Sequence, residues 1–224
     1  MSESTTIQYE RGDDGIVILT IDDPNQGANT MNRAYAESMA ATVERLEAEK
    51  DDIKGVIITS GKKTFFAGGD LNDLLAVTKE QAPEFAEGLR EIKGQLRRLE
   101  TLGVPVVAAV AGSALGGGLE ITLATHHRVV VDDPKIQLGT PEVSLGLLPG
   151  GGGVTRTVRM MGIANALLNV LIQGKPLRPA KALELGLISE LVDSPDDLIP
   201  AAKKFINENP EAVQPWDVKG YKIP

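Results

Sequence analysis

The sequence has no cysteine and only two histidines, His126 and His127. The first absence removes disulfides, thiolate nucleophiles and cysteine-based zinc sites together, and it fits a cytoplasmic protein. The second leaves little for a metal. Neighbouring residues on a strand point to opposite faces, so adjacent histidines make a poor ligand pair, and both read as structural or surface residues. Positive charge is also short, with 23 Lys and Arg against 31 Asp and Glu and a net charge of −8. Nucleic acids and anionic membranes reward clustered cations, so neither is an expected partner. The longest apolar run, Val104 to Ala111, contains Pro105 and is too short to span a bilayer. The opening Met-Ser-Glu-Ser-Thr-Thr has neither the basic patch nor the apolar stretch of a secretory signal. Neither common glycine-rich phosphate motif occurs, and no G-x-S-x-G elbow marks Ser113 as a nucleophile.

What is present is an α/β pattern. The 224 residues, 42% of them hydrophobic, suffice for one large domain with a substantial core. Residues 5–10 and 16–21 read as paired strands, and Asn32 opens a helix to about Lys50 with Met39, Val43 and Leu46 at helical spacing. Val56–Thr59, Val106–Val110, Val129–Val131 and Leu187–Val192 read as further strands. Helices are expected at Leu71–Val77, 80–101, Leu119–Thr125, 153–161, 163–172, 179–185 and 195–208. Strands alternating with helices imply a largely parallel sheet. The main domain is expected over 1–208, and 209–224, with three prolines and the sole tryptophan, as an extended tail or linker.

Three glycine-rich segments carry possible chemistry. Thr64 to Leu71 contains Gly68 and Gly69, where a ligand oxygen can reach unshielded backbone amides, and Asp70, placed to cap the next helix. Taken alone, that segment reads first as a plain Gly-Gly turn with a capping aspartate. Ala111 to Glu120 sets Gly116, Gly117 and Gly118 between a buried strand and a helix, whose first turn has free amides suited to an oxyanion. Glu120 follows Gly117 by one turn; the alternative is close packing of the glycines with Glu120 in solvent. Gly139 to Gly153 places Glu142 among apolar and turn residues ahead of four consecutive glycines. Burial would raise its proton affinity into the range a general acid or base needs, whereas an exposed loop carboxylate would do nothing.

Together, in this order and spacing, these segments resemble the crotonase (enoyl-CoA hydratase/isomerase) superfamily over residues 5–208. Phe-Ala-Gly-Gly-Asp at 66–70, Gly-Ser-Ala-Leu-Gly-Gly-Gly-Leu-Glu at 112–120 and Pro-Glu-Val-Ser-Leu-Gly-Leu-Leu-Pro-Gly-Gly-Gly-Gly at 141–153 carry the match, and Asn29 fits the coenzyme A loop. More narrowly, Ala124–Arg128 and Gln214–Tyr221 are similar to the N-terminal hydratase part of multifunctional fatty-acid β-oxidation α-chains, the actinobacterial type above all.

The resemblance implies a ββα-spiral crotonase fold. It implies an oxyanion hole from the amides of Gly69 and Gly117, with Glu120 and Glu142 as the acid/base pair. Ala28, Ala67, Asp70 and Leu71 would contact coenzyme A, which belongs to the substrate, so no separate cofactor is implied. Lys62 and Lys63 could meet its phosphates, and Leu74 and Leu75 could line the acyl pocket. The implied reaction is hydration of a trans-2-enoyl-CoA in fatty-acid β-oxidation. Double-bond isomerisation, a non-catalytic acyl-CoA-binding subunit and a generic nucleotide-binding domain are the alternatives. The family's further C-terminal helices are not recognisable after about residue 208, which points to a fragment or shortened paralogue and to oligomerisation through the face they would cover. The implied partners are a second copy of this chain and a thiolase β-subunit.

Overall fold

The computed structural model describes residues 5–224, apart from the side chain of Asn72. Residues 1–4 of the N-terminal segment without a signal pattern lie outside the described residues. The main sheet has six strands in the order β1 (Ile7–Arg11), β2 (Ile16–Ile21), β3 (Gly55–Ser60), β4 (Val106–Val110), β6 (His127–Val131) and β8 (Glu190–Val192). Only the β1–β2 hairpin is antiparallel, with Tyr9 opposite Leu19. The remaining pairs are parallel, in registers such as Ile18 with Ile57, Ile57 with Val107 and Ala109 with Val129. Strands buried on both faces need apolar residues without alternation, and β4, Val-Val-Ala-Ala-Val, is buried throughout.

Helix α1 (Arg33–Glu49) begins where Asn32 accepts the Tyr35 amide at 2.8 Å, and it buries Tyr35, Met39, Val43 and Leu46. A short α2 (Leu71–Ala76) precedes the long α3 (Ala82–Glu100), which packs on α1. Helix α8 (Leu198–Glu208) lies on β3, β4 and β6. Gly55 admits it, since a Cβ there would stand 2.6 Å from Ile206.

The site-bearing segments lie outside this sheet. The two-residue strands β5 (Ala114–Leu115) and β7 (Leu138–Gly139) pair in parallel, and a bridge joins Phe66 to Ala114. Helix α4 (Gly117–Leu123) starts directly after β5 and is buried at every residue. A 3₁₀ turn, Pro141–Leu145, leads to α5 (Gly153–Met161), followed by α6 (Ile163–Ala166) and α7 (Pro179–Glu184).

Several expected boundaries move. Helix α4 begins at Gly117 rather than Leu119, because the two glycines continue the helical backbone. The helix expected over 163–172 stops being α-helical at Ala166 and continues as a π turn, in which the Ile172 amide reaches the Leu167 carbonyl at 3.1 Å. The strand expected from Leu187 pairs only from Glu190. A 3₁₀ turn at Pro195–Asp197 precedes α8. The segment after α8 contains one 3₁₀ turn, Pro215–Asp217. It lies against the body: buried Gln214 donates to the Thr125 carbonyl at 3.0 Å, Asp217 pairs with Arg97 at 2.6 Å and the Tyr221 hydroxyl donates to the Arg159 carbonyl.

Candidate active site

The N-terminus of α4 is where the three glycine-rich segments meet. Gly68 has φ +101° and Gly116 φ +53°, and a Cβ on Gly116 would lie 3.5 Å from the Gly68 Cα. This close backbone approach places the successors, Gly69 and Gly117, on neighbouring turns. Among the described residues, neither the Gly69 nor the Gly117 amide donates to any carbonyl or side chain. Gly117 is buried and Gly69 exposed, and two unpaired amides beside two acids offer donors to an acceptor entering from solvent. The Met31 side chain rests against Gly117, its Cε 2.8 Å from where a Cβ would sit, and Leu74 Cδ1 is 3.2 Å from the equivalent point on Gly69. Both are ends of flexible chains, and both line a cleft of about 790 Å³ that also borders Gly69, Phe85, Leu89 and Ile92.

Glu120 is 2% exposed, so the solvated reading of this residue does not hold. Its Oε1 accepts the Gly153 amide at 2.7 Å. Burial raises its proton affinity, while the amides of Gly153 and Gly151, the Arg156 guanidinium and the Gly152 amide oppose that rise. Glu142 sits on the 3₁₀ turn, half-buried rather than in open solvent. Its Oε1 points to within 2.8 Å of where a Gly116 Cβ would be, and its Oε2 is buried with no hydrogen-bond partner. Burial, with the Glu120 charge adding to it, pushes its pKa up to about 7 against the pull of its own amide. The Glu120 charge acts on Glu142 and Gly116 touches it, so the two carboxyls and the free amide of Gly117 share one small space.

The residues expected at coenzyme A are arranged along one rim. Ala28 is half-buried and Ala67 exposed, with its amide bonded to the Asn29 carbonyl at 2.9 Å. Asn29 is buried and ties the loop together, its side chain reaching the Ile21 carbonyl, Ser60 and the Asp23 amide. Asp70 receives weak donors at 3.4 Å from Asp73 N and Gln26 Nε2, and Leu71 is 53% exposed. Lys62 is engaged with Asp22 at 2.8 Å, while Lys63 is exposed. Leu75 is 86% exposed and lines no part of the cleft, whereas Leu74 does. His126 and His127 stand apart from the site. His126 Nδ1 accepts the Val106 amide at 2.9 Å, and His127 stacks on Phe205 and meets Glu190.

Sequence reasoning missed Met31, Glu100 and Arg156. Glu100 follows Leu96 by one helical turn, so it falls on the apolar stripe of α3, a signal that the abundant charge of that helix masks. Arg156 has no such mark.

A family model described as enoyl-CoA hydratase/isomerase matches residues 11–214. The chain belongs to this family. It is 39% identical over 216 residues to the fatty acid oxidation complex subunit alpha of Idiomarina loihiensis, covering 96% of this chain and 30% of that protein. Against the protein of the same name from Shewanella frigidimarina it is 40% identical over 217 residues, again 96% and 30%. The chain thus spans about 30% of the length of these curated relatives. Among solved structures, the enoyl-CoA hydratase of Bacillus anthracis superposes with a TM-score of 0.80 at 26% identity, over 91% of this chain and 76% of that one. The fold is that of the crotonases, with the parallel sheet and flanking helices expected from the sequence.

Proposed function

We propose that the protein adds water across the 2,3 double bond of a trans-2-enoyl-CoA to give the 3-hydroxyacyl-CoA, as a step of fatty-acid β-oxidation. The observation that carries this reading is the pair of carboxyls beside two unpaired amides: one acid anchored by backbone donors, the other pushed up to about 7. Shuttling a single proton between carbons needs one base, so two acids in one space favour hydration over isomerisation.

The thioester oxygen sits between the amides of Gly69 and Gly117. Water held by both carboxyls attacks the β-carbon, and its proton passes to Glu120, whose charged form the amides and Arg156 favour. The π electrons of the double bond move into the thioester as an enolate, which the two amides stabilise; losing one such donor costs about 3–4 kcal/mol at comparable sites. The enolate then closes onto the α-carbon as it takes the proton of Glu142. Proton exchange with solvent restores the starting charges. Two facing carboxyls that repel titrate apart, which assigns base to one and acid to the other, and their midpoints belong to the pair.

Coenzyme A enters as part of the substrate and no separate cofactor takes part. Backbone at Ala28 and Ala67 and the rim at Asp70 and Leu71 receive it, and the cleft beyond Gly69 has room for the acyl chain. The relatives are named as subunits of a fatty acid oxidation complex, which supports a partner in such a complex; the partners proposed are a second copy of this chain and a thiolase β-subunit. The test is to supply purified protein with 2-enoyl and 3-enoyl thioesters separately and follow the conjugated thioester absorbance. Consumption of the 2-enoyl substrate with formation of the 3-hydroxy product is expected. Conversion of the 3-enoyl substrate alone would make the protein an isomerase, and binding without turnover would make it a carrier.

A further inference from the structure

Behind Glu120 lies a second buried charge cluster, of which the hydration steps use only the charge of Arg156. Arg156, on α5, forms a two-pronged ion pair with Glu100 of α3, Nε to Oε1 at 2.8 Å and Nη2 to Oε2 at 3.0 Å. The pair is nearly sealed from solvent, with side chains 7% and 2% exposed. The remaining prong, Nη1, donates to the Gly151 carbonyl at 3.0 Å. The intervening backbone is what contacts the catalytic carboxyl. A Cβ on Gly151 would lie 2.7 Å from Glu120 Oε2, and one on Gly153 would lie 3.0 Å from Glu120 Oε1. On Gly152, φ +108°, the same atom would fall 2.2 Å from Arg156 Nη1. The glycine run is therefore a thin wall between two charges, an acid on one side and a guanidinium on the other, with no room for a side chain on either.

We infer that the Glu100–Arg156 pair is the positioning device for Glu120. The guanidinium fixes the Gly151–Gly153 strap so that its amides face the Glu120 carboxyl, and it sets one positive charge behind that carboxyl. A guanidinium suits this task because its planar fork can hold a carboxylate with two nitrogens and a carbonyl with the third. Glu100 limits how much of that charge Glu120 feels. The charged groups that face this cluster are few: Glu142 across the site from Glu120, and Arg97 beside Glu100 at 3.4 Å. Asp217 in turn pairs with Arg97 at 2.6 Å, and His126 meets the Glu100 carbonyl at 3.2 Å and also feels the charges of the Glu100 and Asp217 carboxyls.

This inference rests on Glu120 being the working carboxyl, so its test is read first on the protein without substrate. The Glu120 carboxyl carbon is titrated by NMR in ¹³C-glutamate-labelled wild type, Arg156→Met and Glu100→Gln. Removing the cation should raise the Glu120 midpoint, and neutralising Glu100 should lower it, each by roughly half a pH unit or more. General loosening of the core cannot move one carboxyl in opposite directions, so shifts of the same sign, or none, would overturn the inference. Should Arg156→Met fail to fold, Glu100→Gln still supplies the decisive sign. Arg156→Lys tests the fork separately: it keeps the charge but not the geometry, and should cut kcat about 10–100-fold with KM within about twofold. Wild-type kcat in that variant would also overturn it. A wild type that hydrates nothing while the midpoints shift as stated would sink the proposed reaction and leave the positioning intact.

Discussion

The two acids occupy opposite kinds of structure. Glu120 stands on α4, where every residue is buried, and its carboxyl is bonded to a backbone amide at 2.7 Å. Glu142 stands on a five-residue 3₁₀ turn with no buried residue, and one of its oxygens is sealed from water without a partner. Both carboxyls are raised by burial; three backbone amides and a nearby cation oppose the rise at Glu120, and only its own amide opposes it at Glu142. For the proposed reaction, the contrast teaches how one pocket would separate acid from base. A carboxyl met by several donors has part of its burial cost offset, and one with fewer holds its proton to higher pH. Tight packing serves the first requirement, and an exposed turn that tucks a single side chain inward serves the second.

The largest effect should come from removing either acid. Glu120→Gln and Glu142→Gln should each lower kcat for a short enoyl-CoA by about 10²–10⁴, the range for a positioned acid or base. Binding of a saturated acyl-CoA, measured by calorimetry, should stay within a few-fold of wild type because the amides of Gly69 and Gly117 remain. Hydration at near-normal rate by either variant would break the pairing of the two carboxyls.

Next come the glycines, which look alike in sequence and differ in space. A methyl at Gly117 meets only the mobile end of Met31, at 2.8 Å, whereas a methyl at Gly118 meets the Phe66 carbonyl oxygen at 2.5 Å. Gly117→Ala should fold with a melting temperature within a few degrees of wild type and lose about 10²-fold in kcat, because a side chain crowds the oxyanion position. Gly118→Ala should instead lose about 1–3 kcal/mol of stability in urea titration, since backbone cannot step aside. The reverse pattern would mean that Gly117, too, is a packing glycine.

That difference also marks how far the sequence can be read. The buried strands are legible because β-branched runs such as Val56–Thr59 leave few alternatives, and Asn32 announces α1 through its cap. The meeting of Gly69, Gly117, Glu120 and Glu142 is not legible from spacing alone. It depends on the Phe66–Ala114 bridge and the β5–β7 pair, each too short to leave a periodic trace. For the same reason the burial of Glu120 could not be told from a solvated helix position. The run Gly150–Gly153 advertises a close approach but not what approaches. Only in three dimensions do its neighbours prove to be the Glu120 carboxyl and the Arg156 guanidinium. The tail after α8, rich in proline, shows no period because side-chain contacts hold it: Gln214 to Thr125, and Asp217 to Arg97.

The smallest effect sharpens the comparison of the acids without any substrate. Glu142 titrates near 7 in the folded protein and at the ordinary glutamate value when unfolded. Between those values the folded state holds the extra proton, so stability falls as pH rises through that window and the cost is complete above about 7. Glu142→Gln removes a charge that burial disfavours. It should therefore raise the melting temperature at pH 8, by an amount equivalent to about 1–2 kcal/mol once solvent screening at this half-buried site is allowed for. The gain should shrink as pH falls toward the ordinary glutamate value and vanish about one unit below it, where both states are protonated. Glu120→Gln should show a smaller gain, because the Gly153 amide and the Arg156 guanidinium offset part of the burial that raises its proton affinity. An equal gain in both variants at pH 8 would mean that the Gly153 amide does not compensate Glu120, and the two acids would then be equivalent rather than divided by their surroundings.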